Sequence, residues 1–176
     1  MAAGDRLGPG NSPFVLTLEI DGESFARFEE LRRRYYPPER NLVPAHLTVF
    51  HQLPGDHPRE VKALIGSVCR GHPVIDMDVA EVKALERGVA VFLRSPRLMA
   101  LRDDLAREWW PWLGDQDRAG FRPHVTIQNN VDAATARATE RRITAGGLPR
   151  KVRGTGLHLW RYRGGPWEDV QLYRFR

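Results

Sequence analysis

Cysteine is almost absent from the chain. Cys69 stands alone, so no internal disulfide can form, and the expected state is a buried, reduced thiol in a reducing cytoplasm. Long apolar runs are missing too. Stretches such as Val89 to Leu93 are strand-sized, against the roughly 20 residues a spanning helix needs, so no membrane association is expected. There is no HExxH and no clustered Asp/His set, which argues against a zinc hydrolase; neither metal nor organic cofactor is expected. The absence of a phosphate loop or nucleotide-binding lysine motif leaves nothing to drive chemistry with ATP. Residues 1–13 hold Gly4, Gly8, Pro9, Gly10, Asn11 and Ser12 and lack an apolar signal region, so they read as a flexible lead-in.

What is present suits an ordinary globular protein. The 176 residues are 41% hydrophobic and 28% charged, enough for one domain over residues 14–176 with a sizeable core; a monomer is expected. The formal net charge of +5 suits an anionic ligand, but the arginines are spread along helix surfaces. The one dense run, Arg32-Arg33-Arg34, sits where a helix ends and reads as a solvated cationic terminus.

Periodicity organises the chain into two similar halves. Phe14 to Ile20 alternates as a strand; Glu23 to Tyr36 carries Phe25, Phe28, Leu31 and Tyr35 at helical spacing and stops at Pro37-Pro38. A strand follows at His46 to His51, then a helix over Pro58 to Arg70 closed by Gly71. Two β-rich runs, Val74 to Leu85 and Val89 to Arg94, flank the hairpin residues Glu86-Arg87-Gly88. The pattern then returns. A helix over Pro96 to Trp110 is capped by Ser95, a strand runs from His124 to Val131, and a helix spans Asp132 to Ala145 with Gly146-Gly147 as its stop. Strands Val152 to Tyr162 and Trp167 to Phe175 close the chain around Arg163-Gly164-Gly165-Pro166. The fold class is α+β, a bilobal, pseudo-symmetric duplication of strand-helix units with antiparallel sheets around a central cleft.

The halves match best at two strands, His46-Leu47-Thr48-Val49 and His124-Val125-Thr126-Ile127, which follow Pro44 and Pro123. Strand alternation puts His46 with Thr48, and His124 with Thr126, on one face, and the apolar residues on the other. Two such strands facing each other supply an acid, a base and two hydroxyl donors, the parts a phosphodiester reaction needs. Histidine fits both proton-transfer roles because its ordinary pKa of about 6.5 allows one ring to be neutral and the other charged. Pseudo-symmetry leaves open which is the acid.

At these residues the chain resembles the 2H phosphoesterase superfamily, in the branch of 2′-5′ RNA ligase-like proteins. The likeness rests on Ala45 to Phe50, on Pro123 to Asn129 and on the closing stretch Leu159 to Trp167, and it spans about Phe14 to Phe175. It implies a pseudo-symmetric α+β fold with His46 and His124 catalytic, Thr48 and Thr126 holding phosphate, and metal-free chemistry. The implied partner is an RNA end or nucleotide carrying a cyclic phosphate or a 2′-5′ phosphodiester.

Further candidates come from position. Arg122, just before the second motif, could grip phosphate as a planar donor. Gln128 should point with His124 and Thr126, and Trp160 and Tyr162 share a strand face with His158 and could stack a base. His51, His57 and His72 lie at element ends and read as solvated. Two rival readings use the same cleft: a binding module that holds RNA ends without turnover, and a ligase that runs the cleavage backwards.

Overall fold

The computed structural model describes residues 12–176, so the expected lead-in lies, up to Asn11, outside the described residues. In chain order the elements are β1 (Phe14–Ile20), α1 (Gly22–Tyr35), β2 (Leu47–Leu53), α2 (Pro58–Arg70), β3 (Ile75–Leu85), β4 (Gly88–Arg94) and α3 (Pro96–Trp109). There follow α4 (Asp115–Arg118), β5 (His124–Gln128), α5 (Ala133–Gly146), β6 (Lys151–Arg161) and β7 (Glu168–Arg174). Single 3-10 turns stand at Pro38–Arg40 and Trp110–Trp112.

The helices begin where side chains can satisfy their free N–H groups. Asp21 accepts from the Ser24 amide at 3.0 Å, Ser95 from Leu98 at 3.3 Å and Asp132 from Thr135 at 2.9 Å. Each such cap contributes about 1 kcal/mol. At the other end of α5, Gly147 takes a positive φ of 75°, which a side chain would resist.

All the strands join one antiparallel sheet in the order β2-β1-β6-β3-β4-β5, with β7 added on β6. The duplicated halves therefore share a continuous sheet, and β6 is what joins them. Its first residues, Lys151 to Gly154, pair with β3, while Gly154 to Arg161 pair with β1 and Gly156 to Arg161 with β7. The helices cover it crosswise: α1 of the first half packs on β5 of the second, α5 on β3 and β4, and α2 on β6 and β7. Phe14, Phe28, Phe50, Trp109 and Ile127 lie in one buried cluster that runs through both halves.

Both motif strands carry an extra residue at the same place. In β2 the register runs Leu47 to Leu18 and Thr48 to Thr17, then Phe50 rather than Val49 faces Leu16. In β5 it runs His124 to Phe92 and Thr126 to Ala90, then Gln128 rather than Ile127 faces Val89. These are β-bulges, which put two successive side chains on one side and invert the alternation beyond them. Val49 and Phe50 are accordingly both buried, as are Ile127 and Gln128.

Candidate active site

The extended entry into each motif strand has a job for its carbonyl. His46 donates from Nδ1 to the Pro44 carbonyl at 2.7 Å, and His124 donates from Nδ1 to the Arg122 carbonyl, also at 2.7 Å. A carbonyl only accepts, so each neutral ring carries its proton on Nδ1 and leaves Nε2 as the free nitrogen. The two histidines thus have the same frame, set by the residue two positions earlier.

Around them the sheet lays out a row of polar side chains. Thr48 on β2 pairs with Thr17 on β1, which pairs in turn with His158 on β6. His46 is half-buried, and burial pulls its imidazole down to about 4; the Pro44 carbonyl opposes this, while the positive fields of Arg32, His124 and His51 add to it. At neutral pH His46 is therefore uncharged.

Two buried arginines brace the strands, each crossing from the opposite half. Arg32, on α1, donates to the Thr126 carbonyl at 2.7 Å, to Asn41 Oδ1 at 2.8 Å and to the Val43 carbonyl at 3.1 Å. Arg102, on α3, donates from Nε to the Val49 carbonyl at 3.0 Å and from its guanidinium to the Asp117 carbonyl. Only 2% of Arg32 is exposed, which corrects the expectation of a solvated Arg32-Arg33-Arg34 terminus; Arg33 and Arg34 alone fit that description. Neither brace is visible in the sequence as a site residue, because both arginines look like ordinary polar positions on amphipathic helices.

A cavity of about 550 Å³ opens beside His46. Its aromatic wall is formed by Phe25, Trp160 and Trp167, with Thr17 and Glu19 on the sheet beneath. The His46 and Trp167 rings lie 4.6 Å apart, His158 stacks on Trp160 at 3.8 Å, and Trp160 donates from Nε1 to Thr17 Oγ1 at 2.9 Å. Phe25, expected in the helix stripe, is instead 36% exposed and turned to this cavity.

Several candidate residues stand elsewhere than alternation suggests. Gln128 is buried, donating to the Tyr35 carbonyl at 3.2 Å and to Thr139 Oγ1 at 3.1 Å, because the bulge turns it away from His124 and Thr126. Tyr162 lies past the end of β6, exposed and outside the cavity that Trp160 lines. The Arg122 guanidinium packs over Phe92 at 4.6 Å and faces Glu81 at 3.9 Å, while its carbonyl accepts from His124 Nδ1. His51 is not simply solvated but is held by Asp117, while His57 stacks on Trp112 and His72 donates to the Pro73 carbonyl. Among the described residues no three His, Cys, Asp or Glu side chains gather where a metal ion could be held.

Comparison with known proteins agrees with this architecture. No curated protein sequence matches the chain. Among solved structures, TT0787 of Thermus thermophilus superposes with a TM-score of 0.64 at 14% identity, covering 93% of this chain and 98% of that one. E. coli LigT, crystallised with 3′-AMP, gives 0.60 at 16% identity, covering 94% and 98%. A structure described as a phosphoesterase gives 0.59 at 19%, covering 93% and 98%. At these identities the likeness establishes the fold, an α+β sheet wrapped by helices. The family model of the 2′-5′ RNA ligase superfamily matches residues 20–166, which include both His-x-Thr strands and β6 but stop short of β7, and the chain therefore belongs to that superfamily.

Proposed function

We propose that the protein is a metal-independent phosphoesterase that opens a 2′,3′-cyclic phosphate, or cleaves a 2′-5′ linkage, at an RNA end or nucleotide. The observation that carries this reading is the matched pair of histidines. Each has Nδ1 tied to a backbone carbonyl, a free Nε2, and a threonine hydroxyl two residues on.

In this mechanism His46, uncharged at neutral pH, takes the proton of the attacking water through Nε2. The new bond forms between that oxygen and phosphorus, and the bond from phosphorus to one ribose oxygen breaks. His124 delivers a proton to the departing oxygen. Thr48 and Thr126 donate to the non-bridging oxygens as charge builds on them. A nucleoside attached to the phosphate fits the cavity beside His46, with its base against Trp160 and Trp167. With a ribose 5′-hydroxyl in place of water, the same ring opening would form a bond from phosphorus to O5′ as the bond to O3′ breaks, joining ends through a 2′-5′ linkage without ATP.

Hydrolysis of cyclic nucleotides and cyclic-phosphate-ended oligonucleotides in excess EDTA tests this, comparing the parent protein with His46→Ala and His124→Ala. Turnover that survives chelation and is lost by a factor of about 10²–10⁴ in both variants is expected. EDTA-sensitive turnover would move the site to metal chemistry, and binding without turnover would make it an RNA-end receptor.

A further inference from the structure

The bulge in β2 places a third histidine by the site. Because Val49 and Phe50 both turn inward, the next side chain, His51, comes out on the face that carries His46 and Thr48. A charge on its ring would bear on His46. The ring is 42% exposed at its side chain, whereas its partner Asp117 is 3% exposed.

Asp117 is buried for a reason that concerns His51. Its carboxylate accepts from the His51 amide at 2.9 Å, from the Gln52 amide at 2.9 Å and from His51 Nδ1 at 3.0 Å. Arg102 fixes the same unit from behind, donating both to the Asp117 carbonyl and to the bulged Val49 carbonyl. Two backbone amides would already hold the strand end. The third bond orients an imidazole, leaving Nε2 outward with a buried carboxylate behind the ring.

We propose that His51 grips the phosphate next to the scissile one, so that the substrate is an oligonucleotide end rather than a free cyclic mononucleotide. This rests on the phosphoesterase reading of His46 and His124. An imidazolium between a buried carboxylate and a phosphate oxygen makes charge-assisted hydrogen bonds to both. Two strand positions separate Thr48 from His51 beyond the extra residue, roughly 6.6 Å, the order of the spacing between successive phosphates on an extended nucleotide chain. Past His51, Gln52 and Leu53 line a separate surface groove with Asp56 and Trp112, one face of whose ring is stacked on His57 at 4.6 Å.

The test compares kcat/KM for a 2′,3′-cyclic mononucleotide with that for a tetranucleotide ending in the same cyclic phosphate, in the parent protein, His51→Asn and His51→Gln. Asparagine keeps a donor for Asp117 but has no counterpart of Nε2; glutamine reaches the Nε2 position. The asparagine variant is expected to lose about tenfold or more of the preference for the tetranucleotide, mainly through KM, with part restored in glutamine. A neutral methylphosphonate at the penultimate linkage should reproduce the loss in the parent protein. Equal losses on both substrates, or none on the tetranucleotide, would overturn the proposal. Should no panel member turn over, the phosphoesterase reading fails instead, and binding of a fluorescent tetranucleotide decides the His51 contact: unchanged affinity in His51→Asn refutes it.

Discussion

A histidine whose Nδ1 proton is committed to a carbonyl has one nitrogen left for chemistry, and its protonation sets the working pH. For His46 burial lowers the pKa from 6.5 to about 4. A base must be unprotonated in the free protein, so kcat/KM should hold on acidification through 6.5 and fall only as pH approaches about 4. A profile already halved near pH 6.5 would remove His46 from the base role. Thr48→Val and Thr126→Val, which keep shape and lose the hydroxyl, should each lower kcat about 10²-fold while leaving stability nearly unchanged; equal effects on kcat and on unfolding would make them structural. His46, His124, Thr48 and Thr126 are legible because His-x-Thr repeats after a proline in matching halves. His51 is not: strict alternation assigns it to the face opposite His46, and its partner Asp117 stands 66 residues away.

The element that misleads such alternation is the bulge, and it does so twice. Val49-Phe50 and Ile127-Gln128 give no local mark of the extra residue, so Gln128 reads as a site residue and His51 as a solvated one. Terminal chemistry is much plainer, since Pro58 and Gly71 delimit α2 at the expected residues. By contrast Trp110 to Arg118 makes a 3-10 turn and one short helix, too brief for a periodic stripe. Two expected outcomes belong at this scale. A Cβ on Gly88 would stand 2.0 Å from the Gln128 carbonyl oxygen, so Gly88→Ala should destabilise by about 1–3 kcal/mol in urea unfolding, through a shifted second bulge. Arg102→Met leaves the Val49 and Asp117 carbonyls without their guanidinium donor and should cost about 2–4 kcal/mol. It should also erase the tetranucleotide preference; retention of that preference would separate the first bulge from His51.

The whole molecule unfolds, on this architecture, as one body. The halves share a sheet, a core and reciprocal arginines, so urea transitions followed by tryptophan fluorescence and far-UV circular dichroism should coincide. Cys69 supplies a third probe. It is 2% exposed, and burial pushes its thiol up to about 11, so labelling by a disulfide reagent should appear only with global unfolding. Separate transitions would mean that the lobes are independent. The duplication can be read along the chain, but the fusion of its halves cannot, because β6 changes partners in mid-strand. Its local traces are Gly154, where a Cβ would come within 2.9 Å of Leu18, and Gly156, where one would come within 2.3 Å of the Tyr173 carbonyl oxygen.

That shared strand has a consequence for how the site works. Enzymes that close over their substrates place catalytic groups on bodies joined by a hinge, and turnover then waits on opening. Here no such joint lies between His46 and His124, because the same backbone ladder carries both and each arginine ties one half to the other's strand. Their relative placement is therefore a property of the sheet. A site carried on one sheet needs less reorganisation than one assembled by closure, and discrimination then falls to how well a chain end fits against the strands.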